Sequence, residues 1–216
     1  MRYFSIQLLT ICLLFQTLSA VAQPAWQWGK SGGSIGDNGS AEIEDVIDMA
    51  TDKKGNLYVL AKVYGYAYVN GQTGIGNFDR VVVASWSCSG NLRWKKILGS
   101  GSLCTAESLR TDTLDGVYIT GAMYSSYGAV GGPGYFDADS VLDFNDKNMF
   151  ILKYDTSGIL KWLKMPEPDT VSAGNPMAAS HDMDVAPNGD IYLYCQLKPG
   201  SYDNGAFSVT TRKLYR

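Results

Sequence analysis

At 216 residues the chain is long enough for one domain with a sizeable core, or for part of a larger protein. Only 18% of its residues are charged and the formal net charge is -3, so it lacks the basic footprint of a nucleic-acid binder. Its 24 glycines and 14 tyrosines suit strands joined by many turns, and nowhere do Ala, Leu, Glu and Lys recur at helical spacing over several turns.

Arg2 precedes the apolar run Ile6 to Phe15, and Ala20-Val21-Ala22 supplies small residues at a cleavage site. A basic start, a short apolar core and such a site predict a secretory signal peptide over residues 1–22, with the mature chain beginning at Gln23. Gln7 and Gln16 interrupt the run, which is too short for the ~20 apolar residues of a spanning helix. The chain is therefore expected to be secreted or cell-surface-associated, with no transmembrane segment after cleavage. Cys88, Cys104 and Cys195 remain in the mature chain, and their pairing cannot be deduced. No CxxC or Cys/His cluster suggests a metal.

Past the leader, Pro24 to Trp28 reads as extended, and Gly29 to Ser40 as a Gly-, Ser- and Asn-rich loop. Ala41 to Thr51 predicts a strand, Asp52-Lys53-Lys54-Gly55-Asn56 a turn, and Leu57 to Tyr64 a second strand. Tyr66 to Asp79 is a polar excursion. Arg80 to Trp86 is a third strand, which turns through Gly90 into Leu92-Arg93-Trp94. The same order then recurs. Leu103 to Arg110, a turn at Asp112 to Gly116 and Val117 to Gly121 precede an excursion from Met123 to Asn148. Met149 to Tyr154 and a turn at Gly158 follow, leading to Trp162. A third round starts at Asp182 to Val185, turns at Asn188-Gly189 into Ile191 to Cys195, and reaches Phe207 to Thr211, read as the beginning of its third strand.

The corresponding positions are Trp28, Trp94 and Trp162; Tyr58, Tyr118 and Tyr192; and Gly90 and Gly158. The repeat divides residues 23–216 into units of about 29–94, 95–162 and 163–216. It predicts an all-β, β-propeller-like array of four-stranded antiparallel blades, incomplete because two full repeats and a partial one are present. Asp52-x-x-Gly55-Asn56-Leu57-Tyr58-Val59, with Lys153-Tyr154-Asp155-x-x-Gly158-x-x-x-Trp162, resembles the repeat of secreted bacterial β-propeller-repeat proteins. The resemblance spans nearly all of residues 26–194. It is looser where Asp115-Gly116 replaces Gly-Asn and where Ser85-Trp86-Ser87 replaces Lys-Tyr-Asp. It implies an exported protein, carries no catalytic signature, and implies more units than the chain holds. The chain accordingly reads as a truncated member, or as one that self-associates through open blade edges.

Candidate sites are few. His181, the single histidine, lies beside Asp182 and Asp184, but a polar residue entering a strand explains it as well as acid–base chemistry does. Asp137, Asp139, Asp143, Asn145 and Asp146 form the richest acidic cluster. They could hold calcium, although the EF-hand pattern is missing, or form a solvated loop. No other cofactor is expected. Gly71-x-x-Gly74-x-Gly76 lacks the context of a phosphate loop and reads as a long turn. Tyr64, Tyr66, Tyr68, Tyr124 and Tyr127 stand where strands run into excursions, and could bind a glycan or protein or cover blade edges. The expectation is a non-enzymatic scaffold or binding module. The rival is an extracellular hydrolase or lyase with its site in the loops.

Overall fold

The turn motifs fix the local structure. In each of Asp52, Asp112 and Asp155 one carboxylate oxygen accepts two backbone N–H groups of its own turn, at 2.6–3.0 Å. Gly55, Gly90, Gly158 and Gly189 meanwhile adopt left-handed φ values of 75, 79, 82 and 90°. Asp115 takes the place of that glycine in the second unit with φ 65°, a conformation that aspartate tolerates better than most residues. The loosest match in the repeat therefore still builds the same turn.

The computed structural model describes residues 27–35, 44–63, 66–69, 72–73, 80–99, 103–124, 134–136, 141–142, 148–166 and 179–210. The first unit comprises β1 (Gly32–Ile35), β2 (Asp45–Thr51), β3 (Leu57–Val63), β4 (Tyr66–Val69), β5 (Gln72–Thr73), β6 (Arg80–Trp86) and β7 (Leu92–Gly99). The second comprises β8 (Leu103–Thr111), β9 (Gly116–Tyr124), β10 (Gly134–Phe136), β11 (Val141–Leu142), β12 (Asn148–Asp155) and β13 (Leu160–Lys164). The third comprises β14 (Ala179–Val185), β15 (Ile191–Gln196), β16 (Gly200–Tyr202) and β17 (Phe207–Val209). The sheet orders are β11-β10-β7-β6-β3-β2, β13-β12-β9-β8, β14-β15, β1-β4-β5 and β16-β17, with every pairing antiparallel.

The class is all-β, but the propeller expectation is overturned. The sheets are open, each ending on its own edge strands, and they do not curl round to close on one another. Repeated turns and strands specify pairing within a sheet, which is local. Closure depends on the angles between sheets, which no sequence period encodes.

The excursions differ from the loops expected of them. Each contains a short hairpin, β4–β5, β10–β11 or β16–β17. Two of these hairpins reach back to the chain that follows the preceding unit's tryptophan: β4 pairs β1, and β10 pairs the end of β7 at Leu98 and Gly99. Phe207–Val209 is thus the returning arm of a hairpin with β16, and not the start of a third strand.

Period-2 alternation sends Tyr58, Leu60, Val81 and Val83 to one face of the first sheet, where they join Val117, Ile119, Phe150, Leu152 and Tyr154 of the second in a single core. Burying each such aliphatic or aromatic side chain contributes roughly 1.5–3 kcal/mol. Trp94 sits at this joint with its indole 5.8 Å from the Tyr58 ring and 6.0 Å from the Tyr154 ring. Its Nε1 donates to the Thr156 carbonyl at 2.8 Å. Trp28 repeats the arrangement one unit earlier, donating to the Cys88 carbonyl at 3.0 Å. Both indoles lie over a turn glycine, Gly158 and Gly90 respectively.

Candidate functional site

Three groupings of polar or aromatic side chains could carry chemistry. The first is duplicated. Tyr58 donates to Asp52 Oδ2 at 2.9 Å and accepts from Arg93 at 3.0 Å. Tyr118 donates to Asp112 Oδ2 at 2.7 Å, and Lys153 reaches the same oxygen at 3.2 Å. Burial opposes ionisation of Asp112, but hydrogen bonds from Tyr118, Gly116 and Leu114 outweigh it and hold the carboxyl below its ordinary range. Burial, opposed by the hydrogen bond with Lys153, pushes the Tyr118 phenol up. Burial works to lower Lys153, yet its hydrogen bonds to Tyr118 and Asp112 leave it raised. Every shift therefore stabilises the ordinary neutral-pH state: carboxylate, phenol and ammonium. A general base or an activated nucleophile needs the opposite tuning. These groups tie turns to strands.

The second grouping joins β2, β8 and β14, the strands that precede the early turn in each of the three units. Arg110 on β8 donates to Asp48 on β2 at 2.6 Å and to Asp182 on β14 at 2.9 Å, and Ser108 donates to Asp182 at 3.0 Å. The three strands carry register shifts at matching places, Val46/Asp48, Ala106/Ser108 and Ser180/Asp182. Each bulge turns a polar side chain toward the neighbouring sheet. The backbone N–H of Met183, acting against burial and joined by Ser108 and Arg110, keeps the Asp182 carboxyl below its ordinary range. Asp182 is thus committed to Arg110, while His181 is exposed and packs at 5.4 Å against the Tyr194 ring. The His/Asp pair that adjacency suggested is split between two roles.

The third grouping is a groove. On the outer face of the first sheet, away from the shared core, Leu57, Val59, Val82, Ala84 and Trp86 form an apolar floor, with Trp28 and Val69 beside it. The space they enclose is about 350 Å³, within the range of small-molecule sites. Lys30, Glu44 and Lys62 stand at its rim, along with Val46 and Met49, which are 61% and 60% exposed. Trp86 is only 7% exposed and its Nε1 has no hydrogen-bond partner among the described residues. An unmade bond on a buried donor costs about 1–3 kcal/mol. The corresponding face of the second sheet, carrying Val117, Ile119, Leu152 and Tyr154, is filled by the back of the first sheet.

Of the residues singled out from sequence, Tyr66 and Tyr68 fall in β4, the strand whose Val69 borders the groove, and Tyr124 ends β9. Tyr64, Tyr127, Asp137, Asp139, Asp143, Asn145 and Asp146 lie outside the described residues. Among the described residues no group of three or more His, Cys, Asp or Glu side chains could hold a metal ion. No helix there is long and apolar enough to cross a membrane. Cys88, Cys104 and Cys195 form no disulfide with one another. Sequence reasoning missed the groove. Its signal was the second parity of the run Val81 to Trp86, which is apolar on both faces and so marks a sheet to be covered on both sides.

No protein-family model matches this chain, and no curated protein matches it.

Proposed function

We propose that this chain is an exported, non-enzymatic binding module whose ligand is a small apolar molecule. The observation that carries the reading is the apolar groove of about 350 Å³ on the outer face of the first sheet, floored by Leu57, Val59, Val82, Ala84 and Trp86 with Trp28 beside them. That floor would supply affinity by taking apolar ligand surface out of water. Export rests on the leader-like segment at residues 1–22. The hydrolase or lyase alternative loses ground because the carboxylates with lowered pKa, Asp52, Asp112, Asp155 and Asp182, all serve turns or inter-sheet ties.

Naphthalene, small and apolar, tests this directly. Titration monitored by tryptophan fluorescence should show saturable binding, and Ala84→Trp should fill the groove and abolish it. No saturable binding, or binding that survives Ala84→Trp, would refute the assignment.

A further inference from the structure

The groove on the first sheet has a counterpart inside the molecule, and there its place is filled. In the second sheet Val117 stands opposite Tyr154 and Ile119 opposite Leu152. In the first sheet Leu57 stands opposite Trp86 and Val59 opposite Ala84, the same register one unit earlier. Each set of four is flanked by a tryptophan docked on a turn glycine, Trp94 over Gly158 and Trp28 over Gly90. Both indoles donate to the carbonyl two residues before that glycine, at 2.8 Å to Thr156 and 3.0 Å to Cys88. The two frames are built alike, and what lies over them differs.

Over the second frame lies an aromatic ring. Tyr58 places its ring 5.8 Å from Trp94, tilted by 49°, and Leu60, Val81 and Val83 join it in the same core. Tyr58 is fully buried, so this is a dry contact in which the ring quadrupoles favour a tilted pair beyond what area alone supplies. Over the first frame lies the groove, about 350 Å³ of space bordered by Trp28, Leu57, Val59, Ala84 and Trp86. By that correspondence the space takes the place of the Tyr58 ring and its aliphatic neighbours. Trp86 is buried whereas Trp28 is half-buried, which leaves Trp28 as the indole with surface to offer a ligand.

We infer that the groove selects an aromatic ring and that Trp28 determines the selection, the ligand ring standing to Trp28 as the Tyr58 ring stands to Trp94. This rests on the groove being the binding site and adds the chemical class of what it takes. Val59 and Ala84 contribute affinity for any apolar skeleton that fits, and the preference for a ring comes from Trp28. Gly90 is a positioning residue. At its φ of 79° a Cβ would meet Trp28 Cγ at 2.7 Å and Cδ2 at 2.9 Å, so the indole holds its place only over a glycine.

The probes are 2-naphthol and decahydro-2-naphthol, which share a two-ring skeleton and a hydroxyl and differ in aromaticity. Calorimetric titration of the full chain should show 2-naphthol binding about fivefold tighter. Trp28→Leu should bring the two affinities within about twofold of each other and leave that for decahydro-2-naphthol within about twofold of its original value, which a general loss of structure would not do. Trp28→Phe keeps a ring and should keep a preference above about twofold. Gly90→Ala should cut the preference as Trp28→Leu does, whereas Gly189→Ala, at φ 90° with no atom within 4 Å of the added Cβ, should leave it unchanged. Equal affinities in the unaltered chain, or a preference that survives Trp28→Leu, would overturn the inference, and with naphthalene still binding saturably the groove assignment would stand. Loss of naphthalene binding as well would overturn both.

Discussion

Gly158→Ala is the substitution that most directly tests how the sheets are joined. Gly158 has φ 82°, where a side chain costs about 1–2 kcal/mol on backbone grounds alone. The added Cβ would also meet Trp94 Cδ2 at 2.8 Å and Cγ at 2.9 Å, closer than real Cβ contacts allow. The indole must move, and its 2.8 Å bond to the Thr156 carbonyl goes with it, a loss of about 0.5–1.5 kcal/mol. Its ring contacts with Tyr58 and Tyr154 weaken by a comparable amount. Together these give about 2–5 kcal/mol for Gly158→Ala. The control is Gly55→Ala, with φ 75° and only an ordinary 3.4 Å contact to Cys88 Cβ, for which the backbone cost of about 1–2 kcal/mol should stand alone. Urea unfolding followed by far-UV circular dichroism measures both. In a Trp94→Ala background the penalty of Gly158→Ala should fall to that of Gly55→Ala, a coupling of about 1–3 kcal/mol. Equal penalties at the two glycines, or a Gly158 penalty that persists without Trp94, would refute the reasoning.

Tyr118→Phe leaves the Asp112 carboxylate, whose side chain is 4% exposed, short of a 2.7 Å bond, and should cost about 1.5–3 kcal/mol in urea unfolding. Tyr192→Phe, at a side chain 64% exposed, should change stability by less than about 0.5 kcal/mol. The folded-state pKa values of Asp52, Asp112 and Asp155 lie below the ordinary 3.8 because turn and side-chain hydrogen bonds outweigh burial. Their stabilisation is therefore complete above that value and lost as pH falls through the lower folded values. Urea midpoints should hold steady from neutrality down to about pH 4 and drop below it, and Asp112→Asn should flatten that drop. Arg110→Met removes the bridge from Asp48 to Asp182. With the Arg110 side chain 33% exposed the pair is partly screened, so the global cost should be no more than about 1 kcal/mol. Hydrogen exchange should nevertheless accelerate selectively in β14–β15 and not in β9, because the bridge is a tie between the third unit and the stack.

How much was legible in the sequence follows from the range of the interactions involved. The turns at Asp52, Asp112 and Asp155 could be read because their chemistry is complete within five residues: a carboxylate, two backbone N–H groups and a residue that accepts positive φ. The strands beside them could be read because β-branched and aromatic residues cluster there. The excursion hairpins were missed because β4, β5, β10 and β11 are two to four residues long, and two of the hairpins are held by partners far away in the chain. The propeller-like array was a wrong expectation for the same reason, since nothing local to a turn or strand determines how successive sheets are set against one another. The groove escaped because Val82, Ala84 and Trp86 look no different in sequence from Val81, Val83 and Ser85. Only the placement of the second sheet decides which set is covered.

The departures of the third unit are correlated, and their correlation says what the repeat is for. Ala186 stands where Asp52 and Asp112 stand, so the turn there relies on Asn188 and Asp190 bonding each other and offers no carboxylate to a tyrosine. Tyr192 is correspondingly exposed, and no strand among those described fills the place of β6 or β12. In the first two units the aspartate, the tyrosine and the cation from a later strand form one network, Asp52–Tyr58–Arg93 and Asp112–Tyr118–Lys153. Two of its members sit on the early strands and the third arrives only with the hairpin that completes the sheet. The motif shared by the units is therefore a device for joining a late strand to an early turn. In the third unit, where no late strand is among those described, the aspartate of the early turn is absent as well and the tyrosine lies exposed.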